Sequence, residues 1–216
     1  MTDTDLPSYS PPFETDAGGA DAPTKPSARV AGVLLAAGTS TRFGDDNKLL
    51  ATVDGDPLVR HGAQTLLGAS VAPVIVVVGH EADRVSDALD GLDVEFVRND
   101  GYAAGQSTSV RAGIGAVADR DVDAAVVALG DMPFVDPDTV RTLVSAYEAG
   151  VGDALAAAHD GRRGNPVLFD RRFFDALTRV DGDIGGREIL LESDRSACVA
   201  VPDSGVRRDV DTPSEL

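Results

Sequence analysis

The chain has 216 residues, of which 36 are Asp or Glu and 19 Lys or Arg, giving a formal charge of −17 and a pI near 4.3. That size suits one domain, and such an acidic balance argues against a nucleic-acid binder, which needs basic groups to displace counterions from phosphates. The longest apolar run, near residues 71–78, is far shorter than the ~20 residues of a membrane-spanning helix, and the single Cys198 rules out an internal disulfide or a multi-cysteine metal site.

Residues 1–28 are rich in Pro, Asp, Thr, Ser and Gly without apolar periodicity, and are expected to be a disordered acidic tail. They lack the basic and then apolar pattern of a secretory signal, so a cytoplasmic location is expected. From residue 29 to 216 the pattern is that of one domain. Buried strands are expected at 30–36, 74–78, 94–97, 124–129 and 154–158, from continuous runs of Val, Leu, Ile and Ala. Helices are expected between them at 57–67, 82–89, 107–118 and 137–148. Asp56-Pro57 and Asp136-Pro137 each read as an N-cap followed by a first-turn proline. After residue 158 a strand is expected at 166–169, helices at 171–178 and 186–191, and a final strand at 197–201. This alternation predicts an α/β fold, a three-layer αβα arrangement around a mostly parallel, doubly wound sheet.

Ligands in such sheets bind beyond the carboxyl ends of the strands. The loop after the first of these strands reads Leu35-Ala36-Ala37-Gly38-Thr-Ser-Thr-Arg42-Phe-Gly44-Asp-Asp-Asn-Lys48. Its glycines and small hydroxyl residues let backbone N–H groups approach phosphate oxygens, and Arg42 and Lys48 supply cations. The spacing is neither G-x-G-x-x-G nor G-x-x-x-x-G-K-[ST], so neither a dinucleotide fold nor a Walker NTPase is indicated. The acids are overwhelmingly Asp and the only lysines are Lys25 and Lys48, a composition that suits a protein working in high salt, where surface self-repulsion is screened. With lysine so scarce, Lys48 is expected to have a task.

Asp131 follows the strand 124–129, which sets its carboxylate at the strand's carboxyl end, suited to Mg²⁺; a turn aspartate capping Met132-Pro133 is the plainer alternative. Asp209 and Asp211 alternate on an extended segment and share a face; they either complete a metal site or are two more surface acids. Gly105 precedes a helix that begins at Ser107 and whose N-terminus offers free N–H groups, though a helix start by itself needs no ligand. Arg163 and Arg187 flank glycines and can bind a phosphate bidentately or pair with surface Asp. His61, His80 and His159 have no ligand spacing and are assigned structural or solvent roles. Cys198, in an apolar strand, is expected to be a small core residue.

Together these motifs resemble the MobA-like nucleotidyltransferases over residues 30–216. The LAAG-x-S-x-R-x-G…K loop is similar to the family signature, and Asn99-Asp-Gly-Tyr-Ala-Ala-Gly105-Gln-Ser107-Thr-Ser109 to its base- and ribose-contacting segment. Gly130-Asp131-Met-Pro133 resembles its metal loop and Asp209-Val-Asp211-Thr-Pro213 its closing motif. Arg163-Gly164-Asn165-Pro166 and Gly182-Asp183-Ile-Gly185-Gly186-Arg187 resemble the acceptor loops of the molybdenum-cofactor cytidylyltransferases. Two departures stand out: three residues separate Gly44 from Lys48 where the family has two, and Asn165 replaces a common His.

The resemblance implies transfer of CMP from CTP to the phosphate of molybdopterin with release of pyrophosphate, a guanylyltransferase or another NTP:phosphate transferase being the alternative and a non-catalytic nucleotide-binding module a further one. Arg42, Lys48 and Asp131 would then be catalytic. Leu35, Ala36, Ala37, Gly38, Asn99, Gly105, Ser107 and Ser109 would bind the nucleotide with Arg42 and Lys48. Arg163, Gly164, Asn165, Pro166, Asp183, Gly185, Gly186 and Arg187 would bind the acceptor. Asp131, Asp209 and Asp211 would hold Mg²⁺ or Mn²⁺. Maturation proteins of molybdoenzymes are the implied transient partners, with neither nucleic acid nor membrane among them.

Overall fold

A computed structural model describes residues 6–13, 24–25, 27–39, 43, 46–180 and 186–216. In chain order the strands and helices are β1 (Ser8–Tyr9), β2 (Val30–Ala36), β3 (Thr52–Val53), β4 (Asp56–Pro57), α1 (Leu58–Gly68), β5 (Val74–Val78), α2 (Ala82–Asp87), β6 (Glu95–Arg98), α3 (Gln106–Ala118), β7 (Ala124–Leu129), α4 (Pro137–Glu148), β8 (Ala154–His159), β9 (Arg162–Asp170), α5 (Phe174–Leu177), α6 (Arg187–Glu192) and β10 (Ser196–Ala200). Eight strands form one sheet in the order β1-β10-β8-β9-β7-β2-β5-β6, and β3 and β4 form a separate hairpin. Every pair in the large sheet is parallel except those made by β9, which runs antiparallel to β7 and β8.

All seven residues of β2 are buried, because helices cover both of its faces and it lies between β5 and β7. Alternate side chains feed two cores. Val30, Leu34 and Ala36 face one core with Val59 and Leu66 of α1 and Leu143 of α4. Ala31, Val33 and Leu35 face the other with Val110 and Ile114 of α3, Leu177 of α5 and Leu190 of α6. This is the expected three-layer arrangement. No helix among the described residues is long and apolar enough to cross a membrane.

Two local expectations are corrected. Asp136 does cap α4, its side chain accepting from Asp138 N–H with Pro137 in the first turn. At α1, however, the cap position is Pro57 itself, with no side-chain cap, and Asp56-Pro57 forms β4. Pairing of Thr52 with Pro57 and Val53 with Asp56 overrides the local capping signal. The expected tail is also ordered where it is described. Ser8–Tyr9 adds a parallel strand beside β10, Leu6 is buried, and Tyr9 and Phe13 pack on the core. Lys25 reaches Asp153 at 2.8 Å and Asp170 at 2.5 Å. A few anchoring apolar residues and two partly buried ion pairs of Lys25 hold this segment, and the apolar residues are not periodic.

Candidate functional site

The carboxyl ends of β2 and β7 open into a cavity of about 820 Å³. Ala37, Gly38 and Thr39 continue β2 into its rim, and Leu129 and Asp131 border it from β7. Lys48 starts a short 3₁₀ turn, Lys48–Leu50, whose cap Asn47 is buried and accepts the Leu49 N–H at 3.1 Å. That turn delivers the Lys48 ammonium to Asp131 Oδ2 at 2.7 Å and to Asp211 Oδ1 at 2.9 Å. The extra residue before Lys48 therefore does not keep it from the site. Burial works against the charge on Lys48, but Asp131 and then Asp211 more than compensate, and its pKa stands above 10.5.

Asp211 comes from the far end of the chain. It is brought in by the preceding Val210, which is buried and donates its N–H to the Asp131 carbonyl at 2.9 Å. Asp209, on the other side of Val210, is exposed. Asp131 Oδ1 is buried and has no hydrogen-bond partner among the described residues. A hard divalent cation takes one or two carboxylates and fills its shell with phosphate and water oxygens, so this orphaned oxygen with the Asp211 carboxylate fits such an ion. Among the described residues no three His, Cys, Asp or Glu side chains are grouped for a metal.

The opposite wall is the 3₁₀ turn Tyr102–Ala104 and the start of α3, with Gly105, Gln106 and Ser109 facing the cavity. Gly105 precedes the helix at φ +109°, a conformation that favours glycine. Asn99 shapes this wall from behind. Its amide donates to Thr108 Oγ1 at 2.8 Å and Ser109 Oγ at 3.0 Å, while its oxygen accepts the Gly101 N–H at 3.0 Å. With those groups engaged, Asn99 organises the loop. Ser107 is buried behind the helix start and Ala36 lies within the core.

A second cavity, about 280 Å³, adjoins the first through shared Leu35, Gln106 and Leu129. Arg163, Asn165, Gly186 and Arg187 line it, so two segments expected to hold the acceptor do meet here. Pro166 is buried beneath Asn165, and Gly164 faces the backbone of Val206. Arg42, Asp183 and Gly185 lie outside the described residues. Tyr102, Gln106 and Leu49 line the larger cavity although sequence reasoning did not single them out. Tyr102 had a signal, as an aromatic inside a Gly- and Ala-rich loop.

The three histidines take the places expected of them. His61 Nε2 bonds the Val53 carbonyl at 2.8 Å, His159 Nδ1 the Val201 carbonyl at 3.1 Å, and His80 packs beside Tyr102. Cys198 is buried in β10.

A family model described as MobA-like NTP transferase domain matches residues 32–197. Nicotine blue oxidoreductase of Paenarthrobacter nicotinovorans is 31% identical over 194 residues, covering 87% of this chain and 94% of that protein. A probable molybdenum cofactor guanylyltransferase of Natronomonas pharaonis is 33% identical over 203 residues, covering 86% and 94%. The crystal structure of Rv0371c from Mycobacterium tuberculosis H37Rv superposes with a TM-score of 0.74 at 28% identity, covering 87% of this chain and 95% of that one. The same protein in complex with manganese superposes at 0.71.

Proposed function

The chain belongs to the MobA-like NTP transferase family, and from that footing we propose that it transfers CMP from CTP to the phosphate of molybdopterin, releasing pyrophosphate. The convergence of Lys48, Asp131 and Asp211 from three distant segments, with Lys48 and Asp131 lining the larger cavity, carries this reading. An oxygen of the acceptor phosphate attacks the α-phosphorus in line, and the bond from the α-phosphorus to the bridging oxygen of pyrophosphate breaks. The acceptor oxygen is already anionic near neutral pH, so no general base is needed. Catalysis then consists of positioning and charge neutralisation.

In this reading Lys48, with Arg42, neutralises the triphosphate. Asp131 and Asp211 hold Mg²⁺ or Mn²⁺, which when bound would offset the charge building on the phosphate oxygens. The N-terminal end of α3 and the Tyr102 turn receive base and ribose, while Arg163 and Arg187 receive the acceptor phosphate in the adjoining cavity. Ala37 and Tyr102 line the cavity, and in this reading the Ala37 Cβ, which leaves less room than a glycine would, favours the smaller base.

The second reading is GTP as donor, favoured by the guanylyltransferase name of the Natronomonas relative. Competition among the four NTPs, with molybdopterin as acceptor and mass analysis of the product, separates the two. A cytosine dinucleotide is the expected product. A guanine dinucleotide would replace the donor, and Mg²⁺-dependent pyrophosphate release from none of the four would overturn the transferase reading for this acceptor.

A further inference from the structure

Lys48 sits on the carboxylate pair that fits a divalent cation. One ammonium bridges both carboxylates, at 2.7 Å from Asp131 and 2.9 Å from Asp211. The clamp is fixed from three sides. Asn47 sets the turn that carries Lys48, the turn after β7 carries Asp131, and the Val210 N–H ties the Asp211 segment to the Asp131 carbonyl. The ammonium holds Asp131 Oδ2 and Asp211 Oδ1, so a divalent ion on the same two carboxylates, even one taking the orphaned Asp131 Oδ1, would lie close beside it, and their like charges repel strongly in a partly buried site. Lysine, by contrast, is a compact charge on a flexible stem, able to change anionic partners by rotating a few bonds. Lys48 and Asp131 both line the larger cavity, so the ammonium can reach a polyphosphate lying there without crossing protein.

We propose that Lys48 is a built-in competitor for the divalent-cation site: it closes the Asp131–Asp211 pair in the free protein and uncovers it when a polyphosphate draws the ammonium away. This rests on the metal role given to Asp131 and Asp211 above. It adds an order to binding, nucleotide before the productive metal, and assigns Lys48 a second role besides holding phosphate. The same side chain thereby couples occupancy of the two sites, and a metal ion alone is kept off the carboxylates.

The test is Mn²⁺ binding to the full chain without nucleotide, read from the EPR signal of the free ion, for the wild type, Lys48→Met and Lys48→Gln. Circular dichroism establishes that each variant is folded, and either variant suffices for the comparison. Both variants are expected to bind Mn²⁺ at least tenfold tighter than the wild type, and adding Asp131→Asn is expected to abolish the gain. Equal or weaker binding by the lysine variants, with Asp131→Asn weakening Mn²⁺ binding by the wild type, would overturn the competition and leave the metal pair standing. If no protein shows Asp131-dependent Mn²⁺ binding, with or without α,β-methylene-CTP, both the competition and the metal role are overturned.

Discussion

Gly164 packs its Cα directly against the carbonyl of Val206, so closely that a Cβ there would overlap the carbonyl oxygen and carbon. The obstruction is backbone and cannot rotate away. Val206 lies in the 3₁₀ turn Ser204–Arg207, four residues before Val210 and five before Asp211. The small residue in the Arg163-Gly164-Asn165 segment therefore sets how near the closing segment comes to β9. Gly164→Ala is expected to destabilise the fold by about 1–3 kcal/mol, the usual range for overpacking. It should also slow pyrophosphate release at least tenfold, because a displacement of about 1 Å in a positioned group can cost far more than that. Chemical denaturation and a turnover assay check the two parts. Wild-type values in both would show that the segment yields freely and that Gly164 does not position Asp211.

Asp131→Asn keeps the shape of the side chain and removes its charge. Lys48 retains Asp211 as a partner at 2.9 Å, so stability is expected to change by less than about 1.5 kcal/mol, the scale of one hydrogen bond. Turnover with Mg²⁺ is expected to fall by about 10²-fold or more, as when one stabilising group at a developing charge is lost. Pyrophosphate release under saturating nucleotide is the measurement. Near-wild-type turnover would return Asp131 to the plain role of a turn residue.

Much of the fold was legible because its central strands are buried on both faces. Continuous apolar runs marked β2, β5 and β7 with their observed limits, and the Asp136-Pro137 pair marked the start of α4. The same dipeptide misled at Asp56-Pro57, where hairpin pairing with Thr52 and Val53 decides the structure. For the site, the scarcity of lysine singled out Lys48, and the end of an apolar strand singled out Asp131. What stayed hidden depends on partners distant in sequence. Asn99 binds Thr108 and Ser109, Gly164 meets Val206, and Lys25 joins Asp153 and Asp170; nothing local announces any of these. The two-residue β1 is likewise visible only once β10 lies beside it.

Tyr147 gives stability an alkaline limit. Its hydroxyl shares its one proton between Asp170 Oδ2 at 2.6 Å and the Asp123 carbonyl at 3.0 Å. Burial raises its pKa well above 10.0, and the bond to Asp170 and the charges of Asp170, Asp123 and Asp153 raise it further. A raised folded-state pKa means that the unfolded chain loses this proton first. The contribution is therefore complete below about pH 10 and is lost as pH rises from there towards the folded value, at up to about 1.4 kcal/mol per pH unit. Tyr147→Phe is expected to cost about 1–2 kcal/mol at neutral pH through the lost bonds. It should also flatten the decline above about pH 10, where the unfolded tyrosine ionises. Urea midpoints across alkaline pH compare the two proteins, and an unchanged slope in the variant would assign the decline to other groups.

The charge of −17 sets the sign of the response to salt. Raising KCl from 0.1 M to 1 M shortens the screening length from about 10 Å to about 3 Å. Screening has two opposing effects here. It weakens exposed ion pairs such as Arg98–Asp83 and Arg98–Asp100, but each such pair contributes only about 0–1 kcal/mol. It also relieves repulsion among an excess of acids distributed over the whole surface, which acts on the compact state more than on the expanded one. The partly buried contacts of Lys48 with Asp131 and Lys25 with Asp153 are the least affected by either. Relief is therefore expected to win, with the melting temperature rising by about 4–8 °C, equivalent to roughly 2 kcal/mol for a chain of this length. Thermal unfolding followed across the KCl series measures the slope directly. A melting temperature that falls with salt would mean that surface pairs, rather than self-repulsion, dominate the electrostatics of this acidic fold.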